Sequence, residues 1–204
     1  SRLRGRLEAI LDWAAFRDLR PKGDNPARWA GHLETELTAP KDLQKPKHHA
    51  ALPYLEIGAF MAELRGRDAP AARALEFAIL TATRSAECRG ATWEEIDFKS
   101  KTWRIDGERM KAKKDHEVPL TDEMIELLEA LPRVEGNSFV FIGDAKDGGM
   151  SPNALLNVLN RMGHKGLTQH GFRSTFREWA GETTAHPREV IEHALSHQLK
   201  DKAE

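Results

Sequence analysis

The feature that most constrains this fold is a change in the spacing of the apolar residues about halfway along the chain. From Pro53 to about residue 83, apolar residues recur every three or four positions, which is typical of helices with one buried face. Two later stretches, IDFKSKTWRIDG and HEVPL, carry Ile, Phe, Trp and Val in short alternating runs, which is typical of antiparallel strands. Helical spacing then returns. We therefore predict a mainly α fold with one small antiparallel β-sheet.

A proline-rich stretch predicts a boundary between two domains. Residues 1–38 contain a helix to about Leu19, the turn PKGDNP and a short helix around ARWAGHLE. Residues 39–52 combine prolines and lysines with little apolar content and are predicted to be an exposed linker. Residues 53–204 carry the predicted sheet and the remaining predicted helices, which are YLEIGAFMAELR, APAARALEFAILTATR, TDEMIELLEAL, SPNALLNVLNRM, HGFRSTFREWAGE and PREVIEHALSH. SFVFIG is predicted to be a short extended piece.

Composition excludes several classes of protein. The formal net charge is −1, so any affinity for nucleic acid must come from local basic patches. The single cysteine, Cys88, permits no internal disulfide and is interpreted as a small buried residue. No apolar run is long enough for a membrane span, and no secretory leader is recognised.

The stretch HGFRSTFREWAGE places a histidine and an arginine one helical turn apart. His170 and Arg173 are separated by three positions, so both side chains lie on one face near the start of the predicted helix. Free N–H groups at a helix N-terminus favour an anion, and an arginine fork with an imidazole donor suits two phosphate oxygens. The pattern is weak alone, because a core histidine beside a surface arginine fits it too.

Two further positions carry charge near predicted helix ends. Arg84 follows the apolar run FAILTAT, and Glu87 lies three positions later, where it can orient the guanidinium. A purely structural ion pair fits this spacing equally well. His197 follows the last predicted helix, where the helix dipole alone accounts for a histidine. The other histidines lack the cysteine or carboxylate spacing of a metal site, so no metal is predicted.

The connection between the last two predicted strands, ERMKAKKD, is strongly basic. Its cationic residues are Arg109, Lys111, Lys113 and Lys114. A charge run is most often a solvated loop. A lysine on a hairpin can nevertheless contact a DNA backbone and donate a proton there. Lys111 is a candidate for such a role, and Arg109, Lys113 and Lys114 are predicted to bind DNA.

Taken in order, these parts resemble the tyrosine recombinases, the phage-type integrases. The likeness is carried by LTATRSAECRGATWEEID, ERMKAKKDHEVPL, QHGFRSTFREWA and ALSHQ, and it points in particular to integrases of genomic islands and P4-like phages. It covers about residues 53–204. The segment before the linker, with its DNPARW turn, is similar to the end of the family's core-binding domain.

The resemblance implies site-specific DNA recombination through a covalent 3′-phosphotyrosyl intermediate, without metal, ATP or another cofactor. Glu87 matches the acidic residue that supports the first arginine of the family's site. Lys111 matches the general acid that protonates the leaving 5′ oxygen. The positions that match the family's phosphate-binding residues are Arg84, His170, Arg173 and His197.

The chain departs from the family pattern at three places. Ala82 and Ser196 stand where the family often has glycine, so we expect the departure to affect local geometry more than function. In the family a tyrosine nucleophile follows the last histidine, whereas this chain ends at Glu204 and its only tyrosine is Tyr54. We therefore predict a phosphate site without the attacking group, which binds DNA but does not cleave it.

Two alternatives stay open on the sequence alone. A type IB topoisomerase has a similar constellation of residues, and a catalytically silent DNA-binding module would keep the fold without the tyrosine. The resemblance further implies double-stranded DNA attachment sites as the partner, with accessory DNA-bending or excision factors and no membrane. It implies a tetramer on DNA for the full-length protein, a monomer for these 204 residues, and a location at the nucleoid in the bacterial cytoplasm.

Overall fold

The chain divides into two compact units, which comprise residues 1–48 and 49–204. The computed structural model describes residues 2–38, 50–145 and 148–197. Most of the predicted linker, residues 39–49, lies outside the described residues. Each unit is described by itself below.

The first unit is helical, and a buried asparagine organises its turn. Its described elements are α1 (Arg2–Phe16), a π-helical turn (Trp29–Leu33) and α2 (Glu34–Glu36). The helix predicted to reach Leu19 ends at Phe16, and Asp18 then adopts a left-handed φ of 55° that breaks the helical repeat. Asn25 is buried, and its Nδ2 donates to the Glu8 carbonyl at 2.8 Å and to Asp12 Oδ1 at 2.7 Å. The turn is therefore tied to the first helix.

The second unit is mainly helical with a small antiparallel sheet, as predicted. Its helices are α3 (Ile57–Arg65), α4 (Pro70–Leu80), α5 (Ser85–Arg89), α6 (Asp122–Glu129), α7 (Ala154–Arg161), α8 (Gln169–Thr183) and α9 (Arg188–Ala194). Its strands, in sheet order, are β1 (Ile96–Asp97), β2 (Thr102–Ile105) and β3 (His116–Pro119). Trp103 pairs with Val118 and Ile105 with His116. Among the described helices, none combines the length and apolarity needed to cross a bilayer.

The stretch SFVFIG, predicted to be a short extended piece, lies outside the three-stranded sheet. Phe139 makes only an isolated bridge with Thr92, and the N–H of Val140 donates to the Ala91 carbonyl at 2.9 Å. Val140 and Phe141 are both buried. The apolar run therefore fills the core beside the helices, where burial in place of sheet pairing satisfies it.

The core of the second unit is built around α4. Phe77 is fully buried, with ring centroids 5.2 Å from Trp103 of β2 and 5.4 Å from Phe141. Each such side chain contributes roughly 1.5–3 kcal/mol through burial. Cys88 is also fully buried, with Sγ donating to the Ala74 carbonyl at 3.1 Å, and burial raises the pKa of its thiol. Its interpretation as a buried structural residue is confirmed.

Helix α8, which carries the H-x-x-R motif, is fixed against the start of the second unit. Thr168 caps the helix by accepting the Gly171 N–H at 3.2 Å. A side chain at Gly171 would collide with the Ala50 carbonyl oxygen, so glycine is required for this approach. One turn later, Thr175 Oγ1 donates to the Leu52 carbonyl at 2.6 Å. The motif is therefore held rigidly by the chain that precedes α3.

Candidate phosphate-binding site

Arg84 lies between α4 and α5 and is held by Glu87. Its backbone N–H donates to Glu87 Oε2 and its Nη1 donates to Oε1, both at 2.7 Å. Glu87 is buried at the third position of α5, so one carboxylate both closes the helix start and orients the guanidinium. Arg84 Nη2 donates to the Ser196 carbonyl at 3.2 Å. The Arg84 side chain remains 24% exposed, which leaves part of the guanidinium accessible to a ligand.

Arg173 projects from α8 into the protein and is almost completely buried. Its Nη1 donates to the Ala82 carbonyl and its Nη2 donates to the Leu195 carbonyl at 2.5 Å. Burial lowers the pKa of Arg173 to about 10, and the positive charge of Arg84 acts in the same direction, so the group is still cationic at neutral pH. Its buried Nε–H has no hydrogen-bond partner within the described ranges. A buried donor of this kind needs an acceptor, which a bound anion can supply.

His197 follows α9 and completes the cluster. Its Nε2 lies 3.1 Å from Arg173 Nη2 and its Nδ1 lies 2.6 Å from Glu192 Oε2. The His197 side chain is 40% exposed, whereas that of Glu192 is only 7% exposed. The imidazole is thus held from inside by a carboxylate and remains open to solvent on its other side.

The two residues that replace family glycines adopt the left-handed conformation. Ala82 and Ser196 both have φ of 50°, which costs a residue other than glycine roughly 1–2 kcal/mol. In this conformation the Ala82 carbonyl accepts from Arg173 and the Ser196 carbonyl accepts from Arg84. The left-handed backbone therefore explains why glycine suits both positions. In this chain the same backbone conformation is retained with alanine and serine, at the cost of local strain.

The basic connection between β2 and β3 presents its lysines to solvent. Lys111 and Lys114 are exposed, and within the described part of the chain neither makes a hydrogen bond or ion pair. Lys113 is exposed too, with Nζ donating to the Glu108 carbonyl at 3.0 Å. Lys111 and Lys114, which lack such a bond, are available to an anionic ligand.

Arg109 differs from these lysines because its guanidinium is bound inside the protein. It pairs with Glu95 and its Nη2 donates to the Glu87 carbonyl at 2.7 Å. A Cβ at Gly90 would come within 2.8 Å of that Nη2, so glycine there makes room for the guanidinium. Arg109 thus ties the foot of the basic loop to the helix that carries Glu87.

The structure brings three of the predicted site residues together. Arg84, Arg173 and His197 meet around the backbone of residues 195–197. His170 begins α8 one turn before Arg173 and is exposed. Lys111 lies on the separate β2–β3 connection, and among the described residues no hydrogen bond or ion pair joins it to the cluster. The chemical roles of these residues stay predictions.

The sequence analysis missed Glu192 and His116. Glu192 follows the buried Ile191 and precedes the buried Leu195 by three positions, so a charge on the apolar side of α9 was the available signal. His116 is buried on the same face of β3 as Val118, which strand alternation already indicates. Burial lowers the pKa of His116. Both residues flank the cluster without belonging to any recognised motif.

A cavity of about 720 Å³ lies elsewhere in the second unit. It is lined by residues of α3, α4 and α6, among them Arg65, Arg73, Glu76 and Leu127, and by Phe141. It contains none of the predicted site residues. In the arginine cluster, by contrast, the side chains of Arg84 and His197 are partly exposed while that of Arg173 is buried.

Known proteins similar to this chain are integrases. The prophage integrase IntZ of Escherichia coli K12 is 35% identical over 202 residues, which covers 98% of this chain and 48% of that protein. The integrase of Enterobacteria phage P4 is 34% identical over 221 residues, with the same coverage. This chain spans about half the length of these relatives.

Solved structures with the same fold include integrases, and a family profile matches most of the chain. The fold is similar to a lambda integrase (75–356) dimer bound to a COC′ core site, with a TM-score of 0.63, 15% identity and coverage of 96% of this chain and 70% of that one. The Tn1549 transposon integrase in complex with circular intermediate DNA has a TM-score of 0.61, 14% identity and coverage of 97% and 70%. The profile described as the phage integrase family matches residues 52–202. The chain therefore belongs to the phage integrase family, the tyrosine recombinases.

Proposed function

We propose that this chain supplies the phosphate-binding site of a site-specific DNA recombinase that works through a covalent 3′-phosphotyrosyl intermediate. The observation that carries the proposal is the convergence of Arg84, Arg173 and His197 on the backbone of residues 195–197. Arg84 and His197 are partly exposed and the buried Arg173 adds its charge directly beneath them, so together the three cationic or donor groups suit a phosphodiester.

The proposed chemistry is a phosphoryl transfer in two reversible steps. A tyrosine oxygen attacks the scissile phosphorus, the bond from phosphorus to the 5′ oxygen breaks, and a 3′-phosphotyrosyl ester forms. The tyrosine proton passes to solvent or a base, and the leaving 5′ oxygen takes a proton from Lys111. A 5′ hydroxyl of another strand then reverses the step and releases the tyrosine. Because the ester conserves the bond energy, the proposed reaction needs no ATP.

The cluster stabilises the charge that develops on the phosphate oxygens. Arg84 is oriented by Glu87, and Arg173 is fixed by backbone carbonyls, so both are ordered before DNA binds. His170 and His197 are proposed to add further donors to the phosphate. Losing one ordered donor of this kind costs on the order of 10²–10³ in rate.

We propose different roles for the basic residues of the connection between β2 and β3, here called the basic loop. Lys111 is the general acid, and the exposed Lys113 and Lys114 contact the DNA backbone. Arg109 is bound by Glu95 and by the Glu87 carbonyl. We therefore propose that Arg109 contributes to DNA binding indirectly, by anchoring this loop. Arg109 thereby connects the loop that carries Lys111 with α5, the helix whose Glu87 orients Arg84.

A second candidate function, DNA binding without cleavage, is favoured for these 204 residues by the position of Tyr54. The Tyr54 hydroxyl bonds to Glu182, which raises the pKa of the phenol. Glu182 lies nine positions beyond Arg173 on α8, or about 14 Å along the helix axis. Tyr54 is therefore bound at a point remote from Arg173 along α8, and we do not propose it as the nucleophile.

The proposed partner is double-stranded DNA at attachment sites. A lambda integrase tetramer bound to a Holliday junction shares this fold, with a TM-score of 0.64, 14% identity and coverage of 98% of this chain and 59% of that one. We propose a tetramer on DNA for the full-length protein, a monomer for this chain alone, and action at the nucleoid of a bacterial cell. Accessory DNA-bending or excision factors belong to the same proposal.

The test is covalent capture of DNA. A nicked suicide substrate with the attachment site is incubated with this chain and with a longer version that carries the tyrosine after His197, and adducts are resolved on a denaturing gel. We expect an adduct only with the longer version, and none with its Arg173→Ala or Tyr→Phe variant. An adduct on the 204-residue chain would show that its nucleophile is not missing. Failure of the longer version would contradict the recombinase proposal.

A further inference from the structure

Glu192 is a buried carboxylate on α9 to which neither the sequence motifs nor the proposed chemistry gives a role. The whole residue is 5% exposed, and it lies five positions before His197. Removing a carboxylate from water is costly unless it is paired. The partners of the Glu192 carboxylate therefore indicate its role.

The two oxygens of Glu192 face different partners. Oε2 lies 2.6 Å from His197 Nδ1, and Oε1 lies 2.6 Å from Arg177 Nη2 and 3.8 Å from Arg188 Nε. The pair with Arg177 is an ion pair by distance, without an aligned hydrogen bond to Oε1 among the described residues. Burial by itself would raise the pKa of Glu192, but the hydrogen bond from His197 and the charge of Arg177 outweigh it, and the pKa is lowered. Glu192 is thus ionised at neutral pH and can only accept.

This contact decides which nitrogen of His197 carries the proton. Because a carboxylate accepts at Nδ1, the neutral ring has its hydrogen on Nδ1 and its lone pair on Nε2. That lone pair faces Arg173 Nη2 at 3.1 Å. To donate to a phosphate oxygen, Nε2 must take up a second proton from solvent, and the resulting imidazolium has the Glu192 carboxylate beside it.

We propose that Glu192 is a positioning residue that fixes the ring and tautomer of His197 and favours its doubly protonated form on the scissile phosphate. The proposal rests on the proposed function, since the phosphate is the group that receives the Nε2–H bond. A carboxylate that orients a histidine and stabilises its cation is a recurrent arrangement in catalytic and metal sites. The charged or titratable side chains that face this pair are Arg173 and Arg177 of α8, Arg188 and His193 of α9, His116 of β3, and Arg84.

The first measurement reads the tautomer directly on this chain, without DNA. Histidine labelled with ¹⁵N is introduced, and two-bond ¹H–¹⁵N spectra are recorded at pH 8. We expect His197 to be protonated on Nδ1 alone, to populate both tautomers in Glu192→Leu, and to be unchanged in Glu189→Gln, which alters an exposed glutamate of the same helix. Circular dichroism checks that each variant is folded. An Nε2–H tautomer in the unmodified chain, or no change in Glu192→Leu, overturns the proposal.

The second measurement uses the longer, tyrosine-bearing version and single-turnover cleavage between pH 6 and 9. Glu192→Gln is nearly isosteric and removes only the charge, so a poorly folded product is less of a concern. We expect cleavage to fall about tenfold at pH 8, with a deficit that shrinks as the pH falls, because a higher proton concentration offsets the loss of the carboxylate. Glu189→Gln should match the unmodified enzyme.

The outcomes separate the two proposals. An equal loss at every pH would show that Glu192 acts only through stability, which overturns its proposed role. If the unmodified longer version forms no adduct while the tautomer result holds, the recombinase proposal and the role at the phosphate both fail. In that case the pairing of Glu192 with His197 still stands as a structural fact.

Discussion

Replacing Ser196 with glycine is expected to stabilise the second unit. Ser196 has a φ of 50°, which costs a residue other than glycine roughly 1–2 kcal/mol. Glycine removes that strain, but its greater freedom in the unfolded chain opposes folding by about 0.5–1 kcal/mol. The Ser196 hydroxyl makes no hydrogen bond within the described ranges, so little else is lost. The net gain is about 0.5–1 kcal/mol, or roughly 1–4 °C in melting temperature for a chain of this size.

Thermal and urea unfolding, followed by circular dichroism, measure this gain, and two matched variants test its cause. Ala82 has the same φ of 50° but is 3% exposed. Ala82→Gly therefore also loses a buried methyl worth about 0.8 kcal/mol and should be nearly neutral. Ser174→Gly, at an exposed position within α8, should destabilise by about 0.5 kcal/mol, because its backbone is helical.

The ranking of the three variants is the decisive result. The strain argument requires Ser196→Gly to be the most stable and Ser174→Gly the least stable. If Ser196→Gly unfolds at a lower temperature than the unmodified chain, the left-handed backbone before His197 is not a source of strain, and the reasoning is refuted.

Two further outcomes are expected. In the tyrosine-bearing version, Lys111→Ala should slow cleavage far more than it weakens binding, and a substrate with a 5′ sulfur leaving group should restore the rate because a thiolate leaves without protonation. Lys114→Ala should instead weaken DNA affinity and reduce the salt dependence of binding by about one phosphate contact. If the 5′ sulfur substrate restores Lys114→Ala as well as it restores Lys111→Ala, the assignment of Lys111 as the general acid is wrong. Burial lowers the pKa of His116, so as the pH falls below about 6.5 the unfolded chain takes up its proton first and stability declines. His116→Gln should flatten that decline in melting temperature, and an unchanged slope below pH 6.5 would count against this origin.

Much of the architecture followed from local patterns. The helical spacing of HGFRSTFREWAGE predicted the helix observed at Gln169–Thr183, and the alternating runs predicted the three-stranded sheet. Thr121 precedes an apolar periodic run and caps α6 by accepting the Met124 N–H at 3.4 Å. SFVFIG packs into the core without joining the sheet, because an apolar run in a core needs burial but not a strand partner.

The sequence by itself determined the class of fold, the order of the family motifs and the presence of a single tyrosine, because all three depend on residue identity and short spacing. Only the tertiary structure decided how the site is held. The bonds from Arg173 to the Ala82 carbonyl and from Arg84 to the Ser196 carbonyl join residues 91 and 112 positions apart. They depend on backbone carbonyls turned by a positive φ, and any residue type has such a carbonyl. The proposed role of Glu192 could not be predicted from the sequence for the same reason. It depends on a hydrogen bond with His197 that no spacing rule predicts.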